Sequence, residues 1–244
     1  MRPGPWRDCQ LDLSSPAALR SLFEREQPGI VIFCAYDPAD RAVTVDAPAR
    51  AAALAAKLGA RFVFLSTDLV FDGTQGRYTE ADGIAPTLPY GAMKADAELL
   101  VRSEHPSAVV LRASLFVGES GVTMRPSYEC DNLLRGLPVS LYRDEWRSPT
   151  HVDDVARAAW DLAAREVQGP FHVAGPDRMT RLELGRVLCA LFRFDVRLLR
   201  DAERPADRPR DTSLDGRHTA ALLGWTPRSI IEMARSVRAR VAHV

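Results

Sequence analysis

An α/β fold built on a doubly wound parallel sheet is what this sequence predicts, and three observations predict it. Short apolar runs, Ile30 to Ala35 (IVIFCA), Arg61 to Ser66 (RFVFLS) and Ala108 to Gly118 (AVVLRASLFVG), alternate with longer segments of helical periodicity, the pattern of parallel strands joined by helical crossovers. IVIFCA is apolar at every position, as in strands covered on both faces. Beyond Gly121 shorter helices and short extended stretches take over, which predicts a small C-terminal α/β lobe.

Taken in order, Met1 to Gln10 contains two prolines and a glycine and reads as irregular. The first helix follows, with Ser15 as cap, Pro16 in its first turn and Leu19, Leu22 and Phe23 as its apolar stripe. IVIFCA is the first strand, and an alanine-rich helix fills Asp40 to Leu58. The strand at Arg61 ends in a polar loop, after which Pro89 opens a helix beginning at Tyr90. AVVLRASLFVG reads as one further strand. Helices are then expected near Tyr128 to Arg135, Val152 to Ala164, in MTRLELGRVLCALFRF and in SIIEMARSVRARV, with PVSLY and GPFHVAG extended and Arg200 to Asp211 a charged loop. The division expected is 1–120 for the domain of the main sheet and 121–244 mainly for the smaller lobe, with segments around 139–175 returning to the main sheet.

Composition narrows the function. The chain has 244 residues, 46% hydrophobic and 26% charged, with 32 basic and 32 acidic residues; a zero formal balance gives no reason to expect a nucleic acid partner. Cys9, Cys34, Cys130 and Cys189 are scattered without metal-ligand spacing, so no metal site is expected and the thiols read as reduced. No apolar run reaches membrane-span length and the N-terminus lacks a signal-peptide core, so a cytoplasmic location away from membranes is expected.

The chemistry-bearing stretch runs from Arg61 to Lys94. Thr67 stands at the mouth of a strand, and Tyr90 and Lys94, four apart, project from one helix face. A phenol, with an ordinary pKa of about 10, can work as an acid or base near neutrality if a cation favours its phenolate, and Lys94 can supply that cation. Thr67 can then hold a carbonyl oxygen that Tyr90 protonates while a nicotinamide delivers hydride. Alone, a tyrosine and a lysine at this spacing are commonplace on helix surfaces.

Context is supplied by a resemblance. STDLVFDG, then Tyr78 and Glu80, then PTLPYGAMKADAE resemble the active-site stretch of extended short-chain dehydrogenases/reductases, most nearly the dTDP-4-dehydrorhamnose reductase-like, sugar nucleotide-binding family. RSPTHVDDVARAAWDLA (from Arg147) and RPRDTSLDGRHTAALLGW (from Arg208) are similar to the substrate-lobe segments of the same family. The resemblance implies a Rossmann-like fold, NADPH or NADH as cofactor, a nucleotide-sugar substrate and, as an admissible assembly, a homodimer. It implies Thr67, Tyr90 and Lys94 as catalytic residues, with Lys94 also on the nicotinamide ribose. Asp12 and Leu13 would lie against the adenine and Cys34, Ala35 and Tyr36 under the cofactor; Thr67, Asp68 and Leu115 would meet the sugar. Leu115 stands where rhamnose-forming members tend to carry a stacking aromatic residue. Structural alternatives accompany several positions: Asp72 and Glu80 as loop solvation, His151 as a helix-leading residue, and Arg208 and Arg210 as solvated charges or diphosphate ligands.

One departure concerns the start. Dinucleotide folds open with a strand, a glycine-rich turn and a helix that holds the pyrophosphate. No such turn is found near the N-terminus, and GTQGRY (Gly73 to Tyr78) precedes no apolar helix. The sheet is therefore expected to lack its first strand, leaving Ile30–Ala35 and Arg61–Ser66 beside an open slot. Two functions follow from the resemblance: reduction of a nucleotide-linked 4-keto sugar, or a non-catalytic nucleotide-sugar-binding or regulatory role similar to the regulatory subunit of methionine adenosyltransferase.

Overall fold

The computed structural model describes residues 9–118 and 128–241. The expected lobe boundary at Gly121 lies outside the described residues. In chain order, helix α1 (Pro16–Glu26) leads to strand β1 (Ile30–Phe33), then a π-turn at Ala42–Asp46 continuing into α2 (Ala47–Leu58), then β2 (Arg61–Thr67). A one-turn 3-10 helix, Asp68–Val70, precedes the loop to α3 (Pro89–Glu104). There follow β3 (Val109–Ala113), β4 (Phe116–Val117), α4 (Tyr128–Leu134), β5 (Val139–Tyr142), β6 (Trp146–Arg147), β7 (Thr150–His151), α5 (Val152–Ala163) and β8 (Gly169–Val173). The chain continues through β9 (Met179–Thr180), α6 (Arg181–Phe192), β10 (Leu199–Ala202), α7 (Arg217–Leu223) and α8 (Ile230–Val241). Ser15 caps α1 by accepting from the Ala18 N–H, as its position before Pro16 predicts. Among the described residues no helix is long and apolar enough to cross a membrane.

The main sheet is parallel, in the order β1-β2-β3-β8. Alternate side chains of its strands feed two cores. Phe33, Phe62, Phe64 and Val110 pack with α1, α2 and α3 on one face, while Val63, Val109, Leu111 and Phe171 pack with α5 and Leu223 of α7 on the other. This is the period of two expected of strands, with apolar residues in both phases because helices cover both faces. Phe62 and Phe64 are wholly buried.

Three expectations need correction. AVVLRASLFVG is two strands: β3 stays in the main sheet and β4 pairs instead with β7. The break falls at Ser114, whose hydroxyl donates to the buried Asp68 carboxylate at 2.6 Å. Of the segment 139–175, β8 returns to the main sheet beside β3, whereas β5 pairs with β10 in the lobe. Finally, β1 is the outer strand, its other side unpaired by any described strand, but β2 lies between β1 and β3 and borders no slot.

Candidate active site

At the C-terminal ends of the main-sheet strands a cleft of about 560 Å³ opens, walled by Cys34, Ala35 and Tyr36 after β1, Leu65 to Thr67 of β2, Tyr90 and Lys94 of α3, Ala113 to Phe116 after β3, and Arg147 of β6. Parallel sheets bind ligands at this edge. Thr67, Tyr90 and Lys94 therefore meet at one cleft, as do Cys34, Ala35, Tyr36 and Leu115 from the expected set. Asp12 and Leu13 do not line it. Asp12 is exposed and accepts from the Ser14 N–H and hydroxyl, which hold its carboxyl below the usual range, and Leu13 packs on the core under α1.

Gly91 explains how α3 comes so close. A Cβ at this position would lie 2.1 Å from the Leu69 carbonyl oxygen, so the glycine lets the helix start press on the turn after β2. That contact brings the start of α3 against the turn after Thr67, and Tyr90 and Thr67 line the same cleft. The Tyr90 and Tyr36 rings stand 5.5 Å apart. Thr67 caps the Asp68–Val70 turn by accepting from the Leu69 N–H, and donates to Asp68 Oδ1 at 3.2 Å.

Asp68 is a second correction to the expected site. Its carboxylate is completely buried and faces protein donors: Arg147 Nε and Nη2, each at 2.6 Å, Ser114, Thr212 at 3.1 Å and Thr67. With its lone pairs so occupied, it anchors the cleft wall and leaves no oxygen for a sugar. Arg147 continues the network to Glu145 at 3.3 Å, which accepts from Arg208 at 2.7 and 3.1 Å. Arg208 is thereby committed to an ion pair.

A second buried network lies behind α3. Glu98, one turn beyond Lys94, accepts from the Ser66 hydroxyl at 2.5 Å and from Arg112 Nε and Nη2 at 3.0 and 2.7 Å. Arg112 reaches His172 at 3.3 Å. Other loop residues also prove structural: Glu80 accepts from the His172 N–H and the Thr219 hydroxyl, Asp72 binds Thr74 and the Tyr78 hydroxyl, and His151 caps α5.

The electrostatics of Tyr90 and Lys94 differ from expectation. Burial pushes the Tyr90 phenol upward, reinforced by Tyr36 and Asp68, and the cation that opposes this rise is Arg147. Lys94 is turned elsewhere, donating to the Leu65 carbonyl at 2.6 Å with its Nζ 4.1 Å from the centre of the Phe64 ring. Burial pushes the Lys94 ammonium down to about 8, against the pull of Glu98 and Cys34. Cys34, open to the cleft but crowded on its other sides, has its thiol pushed up by the same desolvation.

Lys94 thus carries a cost. Its folded value of about 8 lies below the ordinary lysine value of about 10.4, so between these values the unfolded chain binds more protons and stability rises with pH. The cost is full below pH ~8 and fades towards pH ~10.4; at about 1.4 kcal/mol per unit it is on the order of 3 kcal/mol, less roughly 1 for the bond to Leu65. Lys94→Met is expected to be the more stable chain by roughly 2 kcal/mol at pH 7, the gap shrinking by pH 10, as measured by urea unfolding at both values.

Comparison with known proteins identifies the family and the fold. The RmlD substrate binding domain family matches residues 4–242. The chain belongs to this family. It is thereby an RmlD-like, sugar nucleotide-binding member of the short-chain dehydrogenases/reductases. Among relatives, the probable low-salt glycan biosynthesis reductase Agl14 of Haloferax volcanii is 32% identical over 90% of this chain and 81% of its own length. Methionine adenosyltransferase 2 subunit beta of Pongo abelii is 32% identical over 84% of this chain and 68% of its own. A crystal structure of dTDP-4-dehydrorhamnose reductase from Bacillus anthracis in complex with NADP superposes with a TM-score of 0.81 at 22% identity, covering 94% of this chain and 87% of that one. That likeness is one of fold.

The cleft can be tested against the family's nicotinamide dinucleotide. Tyr90 and the buried ammonium of Lys94 suit the nicotinamide-ribose end. For the pyrophosphate, the glycines from Cys9 to the end of β2 are Gly29 and Gly59, which lead into β1 and β2 and open no helix. The described residues therefore fit one half of the cofactor.

Proposed function

We propose that this protein is an oxidoreductase that reduces the keto group of a nucleotide-linked 4-keto sugar, in the manner of a dTDP-4-dehydrorhamnose reductase, with NADPH or NADH. The observation that carries the reading is the meeting of Thr67, Tyr90 and Lys94 at one cleft at the strand ends. Thr67 turns its one hydroxyl proton from Asp68 to the substrate carbonyl, and Tyr90 passes its phenolic proton to that oxygen as the C=O π bond is lost. Lys94, which lines the same cleft, is assigned the cofactor ribose by the family resemblance. The cofactor, when bound, supplies the hydride to the carbonyl carbon. Leu115 and Phe116, on the wall after β3, would meet the sugar with apolar surface.

The test mixes the chain with NADPH or NADH and a dTDP-linked 4-keto sugar and follows loss of reduced nicotinamide. Consumption that requires both components supports the reading. A second reading, a nucleotide-sugar-binding regulatory protein, is favoured by the 32% identity to methionine adenosyltransferase 2 subunit beta. It takes over if calorimetry shows nucleotide binding while no keto sugar is reduced.

A further inference from the structure

Packing, and not hydrogen bonding, orients the Tyr90 side chain. Among the described residues no hydrogen bond holds its hydroxyl. The ring that faces it is Tyr36, from the segment after β1, with centroids 5.5 Å apart and planes tilted by 51°. At this separation two aromatic rings attract each other beyond the area they bury. Both side chains line the cleft. Tyr36 is itself 48% exposed, too open for burial to fix it, so its position is set by the backbone that follows. There Thr44, completely buried in the π-turn before α2, clasps the next residue: its hydroxyl accepts from the Asp37 N–H at 2.9 Å and donates to the Asp37 carbonyl at 2.5 Å. The Asp37 carboxylate in turn accepts from the Ala39 N–H at 2.9 Å. Arg41 adds a bridge to Asp96 on α3 at 2.6 Å, but both side chains are about half exposed and such a pair contributes little. The π-turn is thus the main anchor, and such turns recur at functional sites.

We propose that Tyr36 is a positioning residue of this active site: its ring, anchored through the Thr44 clasp on Asp37, sets the orientation of the Tyr90 ring and so aims the phenol at the substrate carbonyl. The proposal rests on Tyr90 being the proton donor. It differs from the place under the cofactor that the family resemblance implies for Tyr36. A cofactor contact acts on nicotinamide binding whatever residue stands at position 90, whereas a positioning contact acts on turnover and only through the phenol it aims.

That difference provides the test. Tyr36→Leu removes a half-exposed ring, so the chain should fold. Its kcat should fall roughly 10-fold or more, since an ångström of misplacement can cost about 100-fold, while the KM for NADPH or NADH stays close to that of the parent. Tyr36→Phe, which restores the ring, should recover most of the loss. In a Tyr90→Phe background Tyr36→Leu should cost little further turnover, because the group it aims is gone. A second measurement needs no turnover. A meta-fluorotyrosine is placed at position 90 in the full chain and followed by fluorine NMR. Its line should sharpen in Tyr36→Leu as the ring gains freedom, sharpen in part in Thr44→Val, and stay broad in Tyr36→Phe. Equal losses from Tyr36→Leu in both backgrounds, an effect confined to the KM for the nicotinamide, or a fluorine line indifferent to the Tyr36 ring overturns the proposal. In a chain that reduces no keto sugar the fluorine line still decides whether Tyr36 holds Tyr90, and only the substrate reading is lost.

Discussion

Tyr90→Phe is expected to lower turnover by about 10²–10⁴-fold, the usual contribution of a positioned acid, while nucleotide binding stays close to that of the parent. The substitution removes one hydroxyl and keeps the ring that packs 5.5 Å from Tyr36, so the cleft retains its shape. Because burial pushes the phenol upward, Tyr90 is protonated across the neutral range and ready to donate. Reduction should accordingly vary little with pH until Lys94 loses its charge near pH 8, and then decline if the ammonium holds the cofactor. Steady-state rates of both chains across that range, with binding by calorimetry, test this. An unchanged turnover in Tyr90→Phe would remove the phenol from the chemistry.

Glu98→Ala should have the largest effect on stability, a loss of about 3–5 kcal/mol, typical of removing one member of a buried ion pair. Arg112 is 4% exposed and Glu98 3%, so the guanidinium would be left charged, desolvated and short of its two strongest acceptors. The Ser66 hydroxyl would lose its partner as well. Replacing both Glu98 and Arg112 by methionine should recover much of the loss, since apolar side chains of similar volume often match a buried pair. Urea unfolding of Glu98→Met, Arg112→Met and the double variant gives the coupling directly. Glu98 also supports the charge on Lys94, so a folded Glu98→Gln chain should carry a Lys94 that deprotonates still more readily.

How far the sequence reveals these features depends on the range of the interaction. The β2 strand, the α1 cap and the α3 start are local, written in apolar runs and in Ser15, Pro16 and Pro89, and they are legible. The family is legible too, because its motifs are contiguous. The break between β3 and β4 is not, since it is set by Ser114 reaching Asp68, 46 positions away. Asp68 resembles a sugar-facing residue in the motif, but its partners come from β3, β6 and the Thr212 loop, which only folding brings together. Arg112 could have been flagged: a charge within AVVLRAS, a run that must be buried, needs a partner. Glu98, on the Lys94 face of α3, was the available carboxylate.

Gly91 touches no ligand, and its side chain, being absent, can do no chemistry. A Cβ here would lie only 2.1 Å from the Leu69 carbonyl oxygen, so the bare backbone sets how closely the start of α3, with Tyr90, approaches the turn after Thr67. In a saturation-mutagenesis map of this protein, position 91 would score like an active-site residue. Lost activity there would report the spacing of two backbones, and a catalytic role should not be assigned from such a score.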